Sequence, residues 1–272
     1  MKARQLRAAA AAALALTLSS CFIGGGSGAG TIRIGIKFDQ PGLGLRQGST
    51  FTGLDVDVAR YVAKALGHQT SEIRFVLAPS AQRETLLSTG QVDLVVASYS
   101  ITDARKEKVS FAGPYLIAGQ DLLVRADETS ITGPDSLTGK KLCSATGSTS
   151  AQRIKDKYPG VQLQEVGAYS ECVSALLSGG VDAVTTDNTI LAGYAAEPQY
   201  QGRLKVIGKP FSTERYGIGI RKGDLALCEE ITTAIATMIS SGEWAKAVNA
   251  NLGPDGFHLD AAVNPPKQDP CT

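Results

Sequence analysis

The sequence is short of the residues that most catalysis needs. Its 272 residues include only two histidines, His68 and His258, and a single tryptophan. There is no Cys-x-x-Cys pair and no zinc motif, so a structural or catalytic metal site has little to be built from. A Gly-x-Ser-x-Gly nucleophile turn is also missing. The 27 Lys and Arg residues are almost matched by 26 Asp and Glu, leaving a net charge of +1. That balance carries no basic footprint for nucleic acid. Beyond the N-terminus no stretch reaches 18 apolar residues, the length at which a membrane span becomes plausible. Hydrophobic residues nevertheless make up 43% of the chain, enough for one large domain or two lobes.

The N-terminus departs from this pattern. Lys2, Arg4 and Arg7 form a basic region and residues 8–18 an apolar one, so residues 1–20 read as a signal peptide. The segment ends Leu18-Ser19-Ser20-Cys21, which resembles a bacterial lipobox. That resemblance implies cleavage before Cys21 and a diacylglyceryl group on its sulfur. Two acyl chains suffice for stable anchoring. Residues 21–30 then comprise the lipidated Cys and a Gly-rich flexible tether, and the folded part begins at Thr31, on the outer side of the cytoplasmic membrane. Four further cysteines, Cys143, Cys172, Cys228 and Cys271, are an even number in an exported chain and suggest disulfides, with three possible pairings.

The most informative stretch runs from Gln91 to Tyr115. Val92, Leu94, Val95, Val96 and Ala97 read as a short buried strand after Gly90. Polarity then switches at Ser98, Ser100 and Thr102, and Thr102 is suited to cap a helix starting at Asp103. Arg105 falls in the first turn of that helix, where a cation is normally disfavoured. A local rule broken just past a strand end marks a candidate site. A guanidinium, two hydroxyls and free helix N–H groups converging there suit a carboxylate. The same anomaly recurs upstream. Ser80 reads as the cap of a helix running to about Ser88, yet Arg83 stands where a capping box would have Glu or Gln. Two such helix starts side by side form a doubly cationic pocket, fit for a ligand with two carboxylates.

The run Gly-x-Val-Asp-Leu-x-x-Ala-Ser-x-Ser-Ile-Thr-x-x-Arg-x-x-x-Val-x-Phe-x-x-Pro-Tyr resembles the signature of the polar amino-acid-binding proteins of ABC importers. Further matches, such as Gly53-Leu54-Asp55-Val56-Asp57, extend the resemblance over nearly all of residues 31–253. It implies an α/β, two-lobed type II periplasmic-binding-protein fold with a ligand cleft between the lobes. Residues 31–114 and 217–272 would form one lobe and residues 120–211 the other, with the strand at 120–125 at the first crossing. Hinge closure around the ligand is the expected motion. By the same resemblance Arg105, Ser100, Thr149 and Ser148 hold the ligand's α-carboxylate, and Asp187, Ser98 and Ser100 its α-ammonium. In the glutamate/aspartate branch the positions of Arg83, Ser80 and Lys37 contact the side-chain carboxylate. The Gly147-Ser148-Thr149-Ser150 turn would complete the clamp from the second lobe. Cys143 with Cys172 inside the second lobe, and Cys228 with Cys271 pinning the Pro-rich tail, are the expected bridges.

The expected function is therefore that of an extracytoplasmic lipoprotein, acting as a monomer without a cofactor. It would capture glutamate first and aspartate next and dock on an ABC permease driven by its ATPase. Glutamine or another polar amino acid is the alternative ligand. An enzyme on the same fold, or a ligand-sensing lipoprotein, are the rival classes.

Overall fold

Residues 30–253 and 257–271 are described by the structure, a computed structural model. The signal peptide, Cys21 and nearly all of the tether lie outside the described residues. Apolar alternation makes Ile32–Ile36 a strand, and its inward side chains Ile34 and Ile36 are fully buried. It pairs in parallel with Ile73–Leu77 on one side and with Leu94–Val95 on the other. Glu214–Arg221 and then Val109–Ala118 complete this five-stranded sheet in antiparallel fashion. A second sheet repeats the plan. Gln162–Val166, Lys141–Ala145 and Ala183–Asp187 run parallel, and Gln120–Arg125 and Leu204–Val206 are added antiparallel. The resemblance of Val181-Asp182-Ala183-Val184 to Val92-Asp93-Leu94-Val95 is thus the trace of two similar lobes.

Helices cover the sheets. Leu54–Ala65, Leu225–Ser240 and Glu243–Leu252 pack with the first sheet, and Thr149–Lys157, Tyr169–Leu177 and Asn188–Ala196 with the second. No helix among the described residues is long and apolar enough to cross a membrane. Two expectations are corrected. The strand Gln120–Arg125 does not cross between lobes. It lies inside the second sheet, its first five residues buried between Ala183–Asp187 and Leu204–Val206. The crossing instead falls where Glu214 pairs with Ala118 and where Gln120 bonds to Ser212 Oγ and Phe211 N, so first-sheet pairing extends beyond residues 114 and 217. Gly119 stands at that point because a Cβ there would lie 2.8 Å from both Pro210 Cβ and the Ser212 carbonyl. Likewise Ser80 caps no helix. It opens the short 3-10 turn Ser80–Gln82, and the α-helix Arg83–Ser88 starts only after it.

Both expected disulfides are present. Cys143–Cys172 joins the strand Lys141–Ala145 to the helix Tyr169–Leu177, and Cys228–Cys271 holds the tail against the helix Leu225–Ser240. The tail then runs along the edge strand of the first sheet. Asn264 accepts from Ile117 N and donates to the Ile117 carbonyl, both at 2.9 Å. Asp269 N donates to the Gly113 carbonyl at 2.7 Å, and the Asp269 carboxylate pairs with Arg215. Cys228 and Cys271 are 43 residues apart. Replacing both with serine is therefore expected to cost about 2–4 kcal/mol of stability in urea melts. A loss under ~0.5 kcal/mol would mean that the tail contacts close the loop unaided.

Candidate ligand-binding cleft

The parallel strands of both sheets end facing each other, and the polar residues of the sequence signature follow those ends. In open α/β sheets this is where ligands bind. Ser98 comes just after the central strand and adopts φ 47°, a left-handed conformation unusual for serine. Its hydroxyl donates to Asp55 Oδ2 at 2.9 Å, and Tyr115 O–H donates to Asp55 Oδ1 at 2.6 Å. Asp55 is completely buried, and burial raises its pKa. Through this pair of bonds Asp55 ties the Ser98 turn to Tyr115.

Thr102 caps the helix Asp103–Lys106 by accepting from Arg105 N, as its position in the sequence suggests. The Arg105 guanidinium then folds back over the strand end. Nη1 donates to the Ser100 carbonyl at 2.8 Å and Nη2 to the Gly147 carbonyl of the other lobe at 3.2 Å. Nε lies 3.6 Å from Glu84 Oε1. Arg83 is buried beside it, and both guanidiniums lie against the Tyr99 ring, Arg83 at 5.1 Å and Arg105 at 4.8 Å from its centroid. Among the described residues Arg83 has no carboxylate at ion-pair distance; its Nε reaches only the Ala78 carbonyl at 3.4 Å. Burial, and then the like charge of Arg105, lower the Arg83 pKa.

From the second lobe, Ser148 caps the helix Thr149–Lys157 by accepting from Ala151 N at 3.0 Å. Thr149 Oγ1 donates to Glu214 Oε2 at 3.0 Å and lies 3.4 Å from Ser100 Oγ across the cleft. Its single proton is therefore committed, and an anion here would be met by the free N–H groups of the helix start. Gly147, at φ 76°, permits this closeness: a Cβ there would lie 2.7 Å from Ala81 Cα of the first lobe. Asp187 occupies the N-cap position of Asn188–Ala196 without capping it. Its Oδ2 accepts from Tyr216 O–H at 2.6 Å, while buried Oδ1 has no hydrogen-bond partner. Burial, then the nearby Glu214 charge, push its pKa up to about 7.

Together these side chains line a small polar pocket. Eight of the nine ligand positions expected from the sequence line it: Ser80, Arg83, Ser98, Ser100, Arg105, Ser148, Thr149 and Asp187. Lys37 does not. Its buried ammonium lies 3.7 Å from Asp39 Oδ1 and 5.8 Å from the centroid of the Tyr169 ring, and burial lowers its pKa to about 8. Gln40, Tyr169 and Ile190 line the cavity without having been expected as contacts. Gln40 is fully buried and its Nε2 lacks a partner. Only its place just beyond a strand end could have hinted at this. The charged groups on the cavity wall are two cations, Arg83 and Arg105, and one anion, Asp187.

Two α/β lobes joined by paired strands, with a small polar pocket lined from both, are the build of a receptor for a small solute. The chain belongs to the bacterial extracellular solute-binding proteins, family 3, whose model matches residues 32–254. It is similar to the glutamate-binding protein GluB of Corynebacterium efficiens, with 48% identity over 239 residues, 83% of this chain and 80% of that protein. The ABC transporter glutamine-binding protein GlnH of Bacillus subtilis is 37% identical over 215 residues, 78% of each chain. Among solved structures, an ancestral arginine-binding protein bound to glutamine superposes with a TM-score of 0.76 at 35% identity, over 82% of this chain and 98% of that one.

Proposed function

We propose that this protein captures L-glutamate, and L-aspartate next, for an ABC importer. It works as a monomer anchored by a lipid on Cys21 at the outer face of the cytoplasmic membrane. The charge balance of the cavity wall carries the reading. With Asp187 ionised, the wall has one more cation than anions. Glutamate, with two carboxylates and one ammonium, neutralises that excess. Glutamine would leave it in a closed cleft, and arginine would add to it; both are costly when desolvated. In the proposed pose, Arg105, Ser100 and the helix start at Ser148 and Thr149 take the α-carboxylate. Asp187 takes the ammonium, with Ser98 and Ser100 at that end. Arg83 and Ser80 take the side-chain carboxylate, and Lys37 adds positive field from behind Tyr169. The similarity to GluB supports the same ligand, and the capture of solute for a permease and its ATPase follows the family.

Calorimetric titration of the lipid-free protein with L-glutamate, L-aspartate and L-glutamine tests this. Glutamate is expected to bind at least tenfold tighter than glutamine, about 1.4 kcal/mol. Arg83→Ala should then weaken glutamate more than glutamine, shrinking the preference to under about threefold. Equal losses for both ligands would remove Arg83 from the side-chain subsite. The glutamine reading draws on the similarity to GlnH. A preference for glutamine in wild type would establish it and leave the Arg105–Asp187 clamp in place.

A further inference from the structure

We propose that Asp39 is a positioning residue that latches the closed cleft without touching the ligand. It begins the two-residue strand Asp39–Gln40 of the first lobe, and it is not among the cavity-lining residues. Its Oδ2 and its carbonyl reach the second lobe. Asp39 Oδ2 accepts from Ser170 N and from Ser170 Oγ, each at 3.2 Å, and is 3.1 Å from the Tyr194 hydroxyl. The Tyr194 hydroxyl also makes a short hydrogen bond to the Asp39 carbonyl. Lys37, on the same lobe as Asp39, supplies the countercharge from 3.7 Å.

The recipient helix explains why a carboxylate belongs there. Tyr169–Leu177 has Ala168 at its N-cap, with no side-chain cap. Its first-turn N–H groups need an acceptor, and an anion is favoured at that end. Asp39 supplies the missing cap from the opposite lobe, so the bond exists only while the lobes are together. A second contact lies beside it. Gly193, the neighbour of Tyr194, is so close to the first lobe that a Cβ on it would stand 2.1 Å from the Pro41 carbonyl. The strip from Asp39 to Pro41 is therefore seated against two second-lobe helices, Tyr169–Leu177 and Asn188–Ala196. When the lobes part, water takes over the Asp39 carboxylate and the Ser170 N–H. The latch thus adds to the stability of the closed form whatever amino acid the cavity holds.

The test uses Asp39→Ala and, from the other lobe, Tyr194→Phe, each compared with wild type. Asp39→Ala is expected to weaken glutamate and glutamine binding by the same factor, about tenfold, mainly through faster dissociation in stopped-flow displacement. Tyr194→Phe, which keeps the ring, should give a smaller loss in the same direction, and the double variant should lose less than the product of the two. A change in the glutamate-to-glutamine ratio beyond about threefold would put Asp39 in the ligand subsite and overturn the latch. Affinities within twofold of wild type would overturn it too. Spin labels placed one on each lobe give a readout that needs no ligand assignment. If wild type binds none of these amino acids, the proposed ligand fails, and the latch is judged on the ligand-free protein alone. Asp39→Ala must then broaden the interlobe distance distribution; an unchanged distribution overturns the latch.

Discussion

Replacing Arg105 with alanine is expected to weaken glutamate binding by about 2–5 kcal/mol, roughly thirtyfold to several thousandfold. The size of the effect comes from two losses at one residue. The ligand's α-carboxylate is left buried without its cation, and removing one partner of a desolvated charge pair costs more than the pair's net worth. In addition, the bonds from Nη1 to the Ser100 carbonyl and from Nη2 to the Gly147 carbonyl disappear, and the second of these spans the cleft. Arg105→Lys restores a charge but not the planar fork, so it should recover only part of the loss. Calorimetry decides the matter. A drop of under threefold for Arg105→Ala would take the α-carboxylate away from this residue.

Asp187→Asn is expected to produce a loss of comparable size, about 2–5 kcal/mol, because the ammonium then meets a neutral amide. It should also change the shape of the pH profile. Burial and Glu214 raise the Asp187 pKa to about 7 without ligand, whereas an ammonium seated on Oδ1 favours the ionised form. Ligand binding must therefore expel a proton at pH values below about 7. Above about pH 5 glutamate's own carboxylates are ionised. Between pH 5 and 7, then, wild-type affinity should rise with pH, by at most tenfold per unit, and level off above. Stability of the ligand-free protein should move the other way. A carboxyl group whose folded-state pKa lies above its unfolded one binds more protons when folded, so stability falls as pH rises from about 4 to 7. Asp187→Asn should flatten both slopes. Titrations at pH 5, 6, 7 and 8 check the first slope, and thermal melts over the same range check the second. A flat wild-type affinity profile would separate Asp187 from the ammonium.

What could be read from the sequence follows from how local each signal is. Arg83 and Arg105 were legible because each breaks a helix-dipole rule within a single turn, and no packing information is needed to see that. Asp187 came through the family resemblance, and it stands at the end of the strand Ala183–Asp187. Ser80 was expected as a helix cap, which it is not, and, through the resemblance, as a ligand contact. A hydroxyl three residues before Arg83 resembles a cap, but the chain makes a 3-10 turn there and the side chain faces the cavity. Lys37 and Gln40 show the opposite failure. Alternation along Ile32–Ile36 tells nothing about the facing of residues beyond its end. There a short hairpin between Asp39–Gln40 and Gly44–Gln47 decides that Gln40 meets the cavity and Lys37 does not. Asp55 was visible only as part of a motif. Its task beneath Ser98 depends on contacts 43 and 60 residues away along the chain.

The tail has a mechanical consequence. Asn264 clips Ile117 through both its amide and its carbonyl, and Asp269 ties Gly113 and Arg215 together from outside. The edge of the first sheet is thus splinted almost to its last pair, Ala118 with Glu214. A splinted ribbon bends just past the splint. The next residue is Gly119, packed against Pro210 and Ser212 of the return crossing, so any swing of one lobe on the other is expected to be taken up at these two crossings and not within the sheet. Because its described clips all fall on the first sheet, the tail is expected to move as part of that lobe.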